Sequence, residues 1–336
     1  MAVRTLGHSD VPVTTLGFGG ASIGGLYEPV GEDEAAATVD AAWAAGIRYF
    51  DTAPHYGLGL AERRIGAALH SRPRDSYVLS TKVGRLLEPT DGHGDDHGHG
   101  FAAPATLRRR WDFSADGIRR SLDDSLTRLG LDRIDLVLLH DPDDHEEQAF
   151  REAYPALEEL RSQGVVRAIG AGMNQSRMLT RFLTDTDVDA VLCAGRYTLL
   201  EQGALDALLP AAQQAGKSVI IGGVFNSGLL TDPRPGARYD YAAAPEEVLH
   251  RAVRMREMTE AHGVPLRAAA LRFPFGHPTV ASVLVGARSA DEIRDAEAQL
   301  RIRLPDDVWA CLRTDGLLPE HVPVPTDAPT GEKSPR

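Results

Sequence analysis

The sequence predicts an α/β protein, a closed (β/α)8 barrel with an N-terminal β-hairpin cap and long loops on its C-terminal face. Three observations predict it. Eight short apolar runs recur along the 336 residues, mostly with an amphipathic segment between them. The glycines after the first run, Gly17-Phe18-Gly19-Gly20, lack the Gly-x-Gly-x-x-Gly spacing of an open, doubly wound sheet and do not lead into a helix. Three of the runs end in a polar residue, as strands do on a barrel rim, where residues distant in sequence meet.

The elements follow in order. Residues 4–13, with Gly7-His8-Ser9-Asp10 as the turn, read as a hairpin over the barrel's N-terminal end. The apolar runs occupy residues 15–18, 49–52, 77–82, 135–140, 168–173, 190–194, 218–222 and 282–286. Between the first two, residues 33–45 carry apolar side chains at helical spacing, and Gly46 stands at the expected C′ position. Residues 60–70, 114–129 and 147–163 read as helices in the same way. Two segments break the rhythm on the C-terminal side of strands, residues 84–112 and 233–245. The expected organisation is one barrel over residues 1–318 and an irregular, Pro-rich tail over 319–336.

Bulk properties exclude several classes. A formal net charge of −12 argues against nucleic acid as a partner, because that role needs a basic face. No apolar stretch approaches the roughly 20 residues of a membrane helix. The N-terminus has no signal-peptide pattern, and two cysteines, Cys193 and Cys311, are too few for a disulfide framework. The expectation is a cytoplasmic enzyme acting on a small molecule.

Four residues carry the chemistry. Lys82 and His140 end their runs, Asp51 ends the strand pattern Tyr49-Phe50-Asp51, and Tyr56 follows Asp51 by five positions. Phenol, ammonium, carboxylate and imidazole together suit proton movement beside a carbonyl or an alcohol. A free phenol with a pKa near 10 is a poor base at neutral pH. Lys82 is expected to lower that pKa, Asp51 to hold Lys82, and His140 to orient a substrate oxygen.

These motifs resemble the aldo-keto reductases. The likeness rests on Phe50-Asp51-Thr52-Ala53-Pro54-His55-Tyr56-Gly57, then Ala61-Glu62-Arg63-Arg64-Ile65-Gly66, Ser80-Thr81-Lys82-Val83-Gly84 and Leu138-Leu139-His140-Asp141-Pro142. The resemblance implies hydride transfer between a nicotinamide, NAD(P), and a carbonyl carbon, with Tyr56 as general acid or base and Asp51, Lys82 and His140 around it. It points to Asn174 for the nicotinamide amide, with helix capping as the competing role, and to Gly222 and Phe225 where an aromatic normally stacks. It also points to Gly286, Arg288, Ser289 and Glu292 for the adenosine end, Arg288 suiting a 2′-phosphate and Glu292 a ribose hydroxyl. Tyr27, His55 and Trp111 stand on rim loops as substrate contacts.

Departures from the general pattern, Ala194-Gly195-Arg196-Tyr197-Thr198-Leu199-Leu200 and Gly223-Val224-Phe225-Asn226-Ser227-Gly228, resemble the branch with L-fucose, D-threo-aldose and pyridoxal dehydrogenases. That branch implies oxidation of an aldose's anomeric hydroxyl to the lactone. The alternatives are a general NADPH-dependent aldehyde or ketone reductase and, more remotely, a cofactor-sensing regulatory subunit. His93, His97 and His99 with Asp95 and Asp96 have irregular spacing among glycines, so the segment reads as a mobile, hydrated loop and no metal is assigned. Arg108-Arg109-Arg110 reads as a loop tether.

Overall fold

Parallel pairing of eight short strands closes a barrel, and the order of elements along the chain explains how. In the computed structural model, which describes residues 1–91 and 94–326, the chain opens with an antiparallel hairpin of β1 (Val3–Thr5) and β2 (Pro12–Thr14). Next come β3 (Leu16–Gly19), α1 (Glu32–Ala44), β4 (Tyr49–Asp51), α2 (Leu60–Leu69) and β5 (Val78–Val83). Four strands then leave the barrel: β6 (Arg85–Pro89), β7 (Asp95–Asp96), β8 (Phe101–Pro104) and β9 (Leu107–Trp111). The alternation resumes with α3 (Ala115–Leu129), β10 (Leu136–His140), α4 (Glu146–Gln148), α5 (Tyr154–Ser162), β11 (Ala168–Met173) and α6 (Arg177–Asp185). It continues through β12 (Ala190–Ala194), α7 (Leu208–Ala215) and β13 (Ser218–Gly222). A two-residue hairpin, β14 (Arg238–Tyr239) and β15 (Ala242–Ala243), precedes α8 (Glu246–Ala261), α9 (Leu266–Arg272), β16 (Val280–Gly286), α10 (Ala290–Arg301) and α11 (Asp306–Thr314). The barrel runs β3-β4-β5-β10-β11-β12-β13-β16 and closes β16 onto β3, every pair parallel.

Strand periodicity divides the core into two. Tyr49, Val78, Leu136, Ala168, Ala190, Ile220 and Ala281 fill the lower barrel interior, and Leu6, Val11 and Val13 of the hairpin close its floor. Their neighbours, among them Phe50, Leu79, Val137, Ile169 and Val191, face outward into the helix layer. The helices begin and end as the sequence indicates. Ser114 caps α3 by accepting from Gly117 N at 3.0 Å. Gly46 adopts φ +85°, which lets Ile47 N reach the Ala42 carbonyl at 3.0 Å and stops α1.

The motif at residues 61–66 is largely a packing device. Glu62 is fully buried and accepts from Thr81 Oγ1 at 2.8 Å and Arg128 Nε at 2.5 Å. Arg64 donates to the Ile23 carbonyl at 2.5 Å and the Val30 carbonyl at 2.7 Å. A Cβ at Gly66 would stand 1.9 Å from the Leu129 carbonyl oxygen, so only glycine lets α2 approach the end of α3. These ties hold the loop between β4 and α2, which carries Tyr56.

One expectation is refined and one corrected. Residues 147–162 are helical without a break, but a π-turn, Ala149–Ala153, lies inside the helix before α5. Pro155 has no N–H and its ring conflicts with the carbonyl four residues back, so the helix absorbs an extra residue there. Residues 84–112 are not a structureless loop. β6 pairs with β9 and β7 with β8, Leu26 bridges to Phe101, and Phe101 and Asp96 are buried. Composition alone misled here, because the order comes from contacts with the rest of the rim. Within this excursion His97 faces Asp95 at 3.0 Å and His99 faces Asp96 at 3.1 Å, in separate pairs; His93 lies outside the described residues. The tail lies within them only to residue 326, and there Val322 is buried against the barrel. Among the described residues no helix is long and apolar enough to cross a membrane.

Candidate active site

Strand parity brings the quartet together. Side chains two apart point the same way, so Tyr49 and Asp51, Val78, Ser80 and Lys82, and Leu136, Leu138 and His140 form inward-facing columns. The upper members of these columns are polar and meet at the C-terminal mouth. Lys82 Nζ donates to Asp51 Oδ2 at 2.6 Å, to Tyr56 Oη at 2.9 Å and to the Thr52 carbonyl at 3.1 Å. The three donors of one ammonium are thereby used. Ser80 Oγ donates to Asp51 Oδ1 at 2.7 Å, and Tyr49 Oη lies 3.1 Å from Ser80 Oγ. The ring centres of Tyr56 and His140 are 5.8 Å apart, nearly perpendicular.

Burial sets the electrostatics. Burial alone would depress the Lys82 ammonium, but Asp51 and Tyr56 outweigh it and raise its pKa, so the charge is permanent. For Tyr56 two effects compete, and Lys82 acts in the expected direction. Burial raises the phenol, Lys82 lowers it, and the net direction is upward, so the resting side chain is a neutral phenol. Burial, reinforced by Arg85 and Lys82, holds His140 well below the usual imidazole range, and its Nδ1 has no hydrogen-bond partner. Arg85 donates to Asp141 Oδ2 at 2.5 Å, and Asp141 adopts φ +43° directly after the strand that ends in His140.

The candidate substrate residues surround this mouth unequally. His55 is close, its ring 6.1 Å from Tyr56 and 5.6 Å from His140. Tyr27, at φ +69°, pairs with Tyr241 from the 233–245 loop at 6.4 Å. Trp111 is 41% exposed, with the Arg85 guanidinium 5.5 Å from its ring centre.

Residues 15–314 match the Aldo/keto reductase family. The chain belongs to that family. It is 46% identical over 317 residues to a D-threo-aldose 1-dehydrogenase from a Pseudomonas species, covering 93% of this chain and 96% of that protein. It is 40% identical to a pyridoxal 4-dehydrogenase from Microbacterium luteolum, covering 94% and 97%. Among solved structures it is similar to the holo form of an aldo-keto reductase from Bacillus halodurans, with a TM-score of 0.74, 29% identity and coverage of 94% and 96%. The likeness to the aldose and pyridoxal dehydrogenase branch is therefore established, and this aldo-keto reductase is an NAD(P)-dependent enzyme.

In this aldo-keto reductase the candidate cofactor residues lie on the other arc of the rim. Asn174 is exposed after β11, and its carbonyl accepts from Arg196 Nε at 2.8 Å. It does not cap α6; the N-cap is Ser176, and the side chain of Gln175 before it accepts from Met178 N at 2.9 Å. Gly222 ends β13 beside Ala194, and Phe225 is partly buried against the outer core. Gly286 pairs with Gly19. Ser289 caps α10 by accepting from Glu292 N at 3.3 Å, while Glu292 accepts from Arg288 N at 2.8 Å. Arg288 also donates to Glu28 at 2.6 Å.

Sequence reading missed several residues of this site. Ser80 was recoverable, since it shares the inward parity of Lys82. Asn226, at φ +47°, is 3% exposed, and neither atom of its amide has a partner. The sequence places it in the Gly223–Gly228 motif without giving it a role.

Proposed function

We propose that this aldo-keto reductase oxidises the anomeric hydroxyl of an aldose, such as L-fucose or a D-threo-aldose, to the lactone. The observation that carries its chemistry is the Tyr56 hydroxyl 2.9 Å from an ammonium that Asp51 and Thr52 hold in place. Tyr56 takes the hydroxyl proton of the substrate, and Lys82 stabilises the phenolate that must form first. NAD(P)+, held by the residues of the opposite arc, would supply the hydride acceptor for the same carbon. Neutral His140, whose ring stands across from Tyr56, hydrogen-bonds the substrate oxygen. Tyr27, His55 and Trp111 are assigned to the substrate. The likeness to a D-threo-aldose 1-dehydrogenase over nearly the whole chain supports the substrate class.

The opposite arc suits a dinucleotide. The orphaned Asn226 amide is costly without a ligand or water. It lies beside Gly195, whose added Cβ would come 4.0 Å from Asn226 Nδ2, and Gly223 next to it is exposed. Asn174, Gly222 and Phe225 are assigned to the nicotinamide half. Gly286, Arg288, Ser289 and Glu292 are assigned to the adenosine half, at the N-terminus of a 12-residue helix. Arg288 is already engaged by Glu28 and Glu292, which favours NAD over NADP.

One observation favours a second reading, reduction of aldehydes: a neutral phenol is a ready proton donor. Initial rates separate the two. Aldoses with NAD+ and NADP+ at alkaline pH are compared with aromatic aldehydes and NADPH. Aldose oxidation is expected to dominate and to rise with pH as Tyr56 ionises; higher kcat/KM for aromatic aldehydes sinks the aldose reading. Tyr56→Phe is expected to lose at least about 100-fold in turnover while still binding cofactor, and near-normal turnover would refute its role.

A further inference from the structure

His55 stands on the barrel rim, but the groups that orient it come from the excursion between β5 and α3. Arg109 Nε donates to His55 Nδ1 at 2.5 Å, and its Nη2 donates to the His55 carbonyl at 2.8 Å. The far side of the same guanidinium meets Asp96, through Nη1 at 2.7 Å and Nη2 at 2.5 Å. Both side chains are buried, with 2% and 6% exposure. Removing an ion pair from water is offset only by good geometry and full hydrogen bonding; here Asp96 also meets His99 Nδ1 at 3.1 Å, while Arg109 turns its remaining donors on His55. An arginine offers donors and no acceptor, so His55 Nδ1 is the accepting nitrogen and the proton of the neutral ring is on Nε2. Burial, with Arg85 and Arg109 close by, pushes the His55 imidazolium down to about 2, which keeps the ring neutral. Phe101, edge-on at 5.3 Å, limits its rotation. No protein group among the described residues accepts a hydrogen bond from His55 Nε2.

We propose that Arg109 and Asp96 are positioning residues that hold His55 as a fixed Nε2–H donor beside Tyr56, and that this donor binds an oxygen on the carbon next to the reacting one. The excursion thereby selects α-hydroxy carbonyls and their sugar equivalents over plain aldehydes. The substrate part deepens the aldose reading and rests on it; the tautomer stands on geometry alone.

Two measurements test it. Nitrogen NMR of the full chain labelled with 15N-histidine is expected to show His55 with a bare Nδ1 and a protonated Nε2 at neutral pH, a pattern that Arg109→Met loses. An Nδ1–H tautomer or an imidazolium in the unmutated protein overturns the proposal. The second measurement is the ratio of kcat/KM for glyceraldehyde to that for propanal, with reduced cofactor. His55→Phe is expected to lower it by about tenfold, the scale of one lost hydrogen bond. His55→Gln, whose amide nitrogen can stand in for Nε2, restores part of it, and Arg109→Met lowers it in the same direction. An unchanged ratio in His55→Phe, or reduction of neither aldehyde, overturns the selection. If Arg109→Met fails to fold, Asp96→Asn replaces it in both measurements. If no aldose is oxidised while the ratio falls as expected, the aldose reading fails and this one stands.

Discussion

Along the arc of the rim formed by β4, β5 and β10, Asp51, Ser80 and Lys82 are buried and bonded to one another, and Lys82 reaches the half-buried Tyr56. Along the arc formed by β12, β13 and β16, Arg288 and Glu28 lie in the open, and the buried Asn226 amide is unpartnered. Lys82 and Asp51 are 2% and 3% exposed, whereas Arg288 is 40% exposed and its partner Glu28 68%. The buried arc is organised before any ligand arrives, so its proton-handling groups need little rearrangement at the moment of reaction. The open arc holds its arginines with weak, screened ion pairs that a charged ligand can exchange at little cost. One arc is built for geometry and the other for traffic.

Breaking the buried arc is expected to have the largest effect. Asp51→Ala leaves the Lys82 ammonium buried beside one phenol and one carbonyl, and should cost about 3–5 kcal/mol of stability by chemical denaturation. Replacing both partners by apolar side chains, Asp51→Leu with Lys82→Met, should recover most of that stability and none of the turnover. A stable Asp51→Ala protein would show that water reaches Lys82 and that the two arcs differ less than their burial suggests.

A smaller effect sharpens the comparison through pH. His55 and His140 have folded-state pKa values below their unfolded value, so the unfolded chain binds more protons as pH falls. Their contribution to stability is complete above about pH 6.5 and declines below it, at up to about 1.4 kcal/mol per pH unit for each imidazole. Denaturation at successive pH values should show that slope, and His140→Asn should reduce it by about half. A flat profile would mean that neither ring is held neutral.

The smallest effect belongs to the open arc. Glu28→Gln releases one carboxylate from Arg288, and the relative kcat/KM for NADP+ over NAD+ should rise by a few fold, the scale of a surface pair. No change would place the 2′-phosphate elsewhere.

Much of the fold and half of the site were legible from residues alone. The eight runs predicted the barrel strands to within two residues at either end. Period-two alternation also predicts that Asp51, Lys82 and His140 share the barrel interior, since each lies an even number of positions from an inward apolar residue. Tyr56 was legible through its motif rather than its periodicity. The 84–112 excursion was not legible, because its glycines, histidines and aspartates have no intrinsic preference for order. They are organised by Arg109 reaching His55 and by Phe101 meeting Leu26, contacts between residues far apart in the chain. The π-turn before Pro155 was within reach of sequence reasoning, had the proline been weighed against the helical pattern.

The sequence by itself determined the alternation of strand and helix and the inward column of polar strand ends, because both depend on local periodicity and side-chain type. Only the tertiary structure decided which charges are neutralised, that burial outweighs Lys82 at Tyr56, that His55 is oriented from outside the barrel, and that Asn226 is left without a partner. Those outcomes depend on distance and on exclusion from water, and both are set by segments that become neighbours only when the barrel closes.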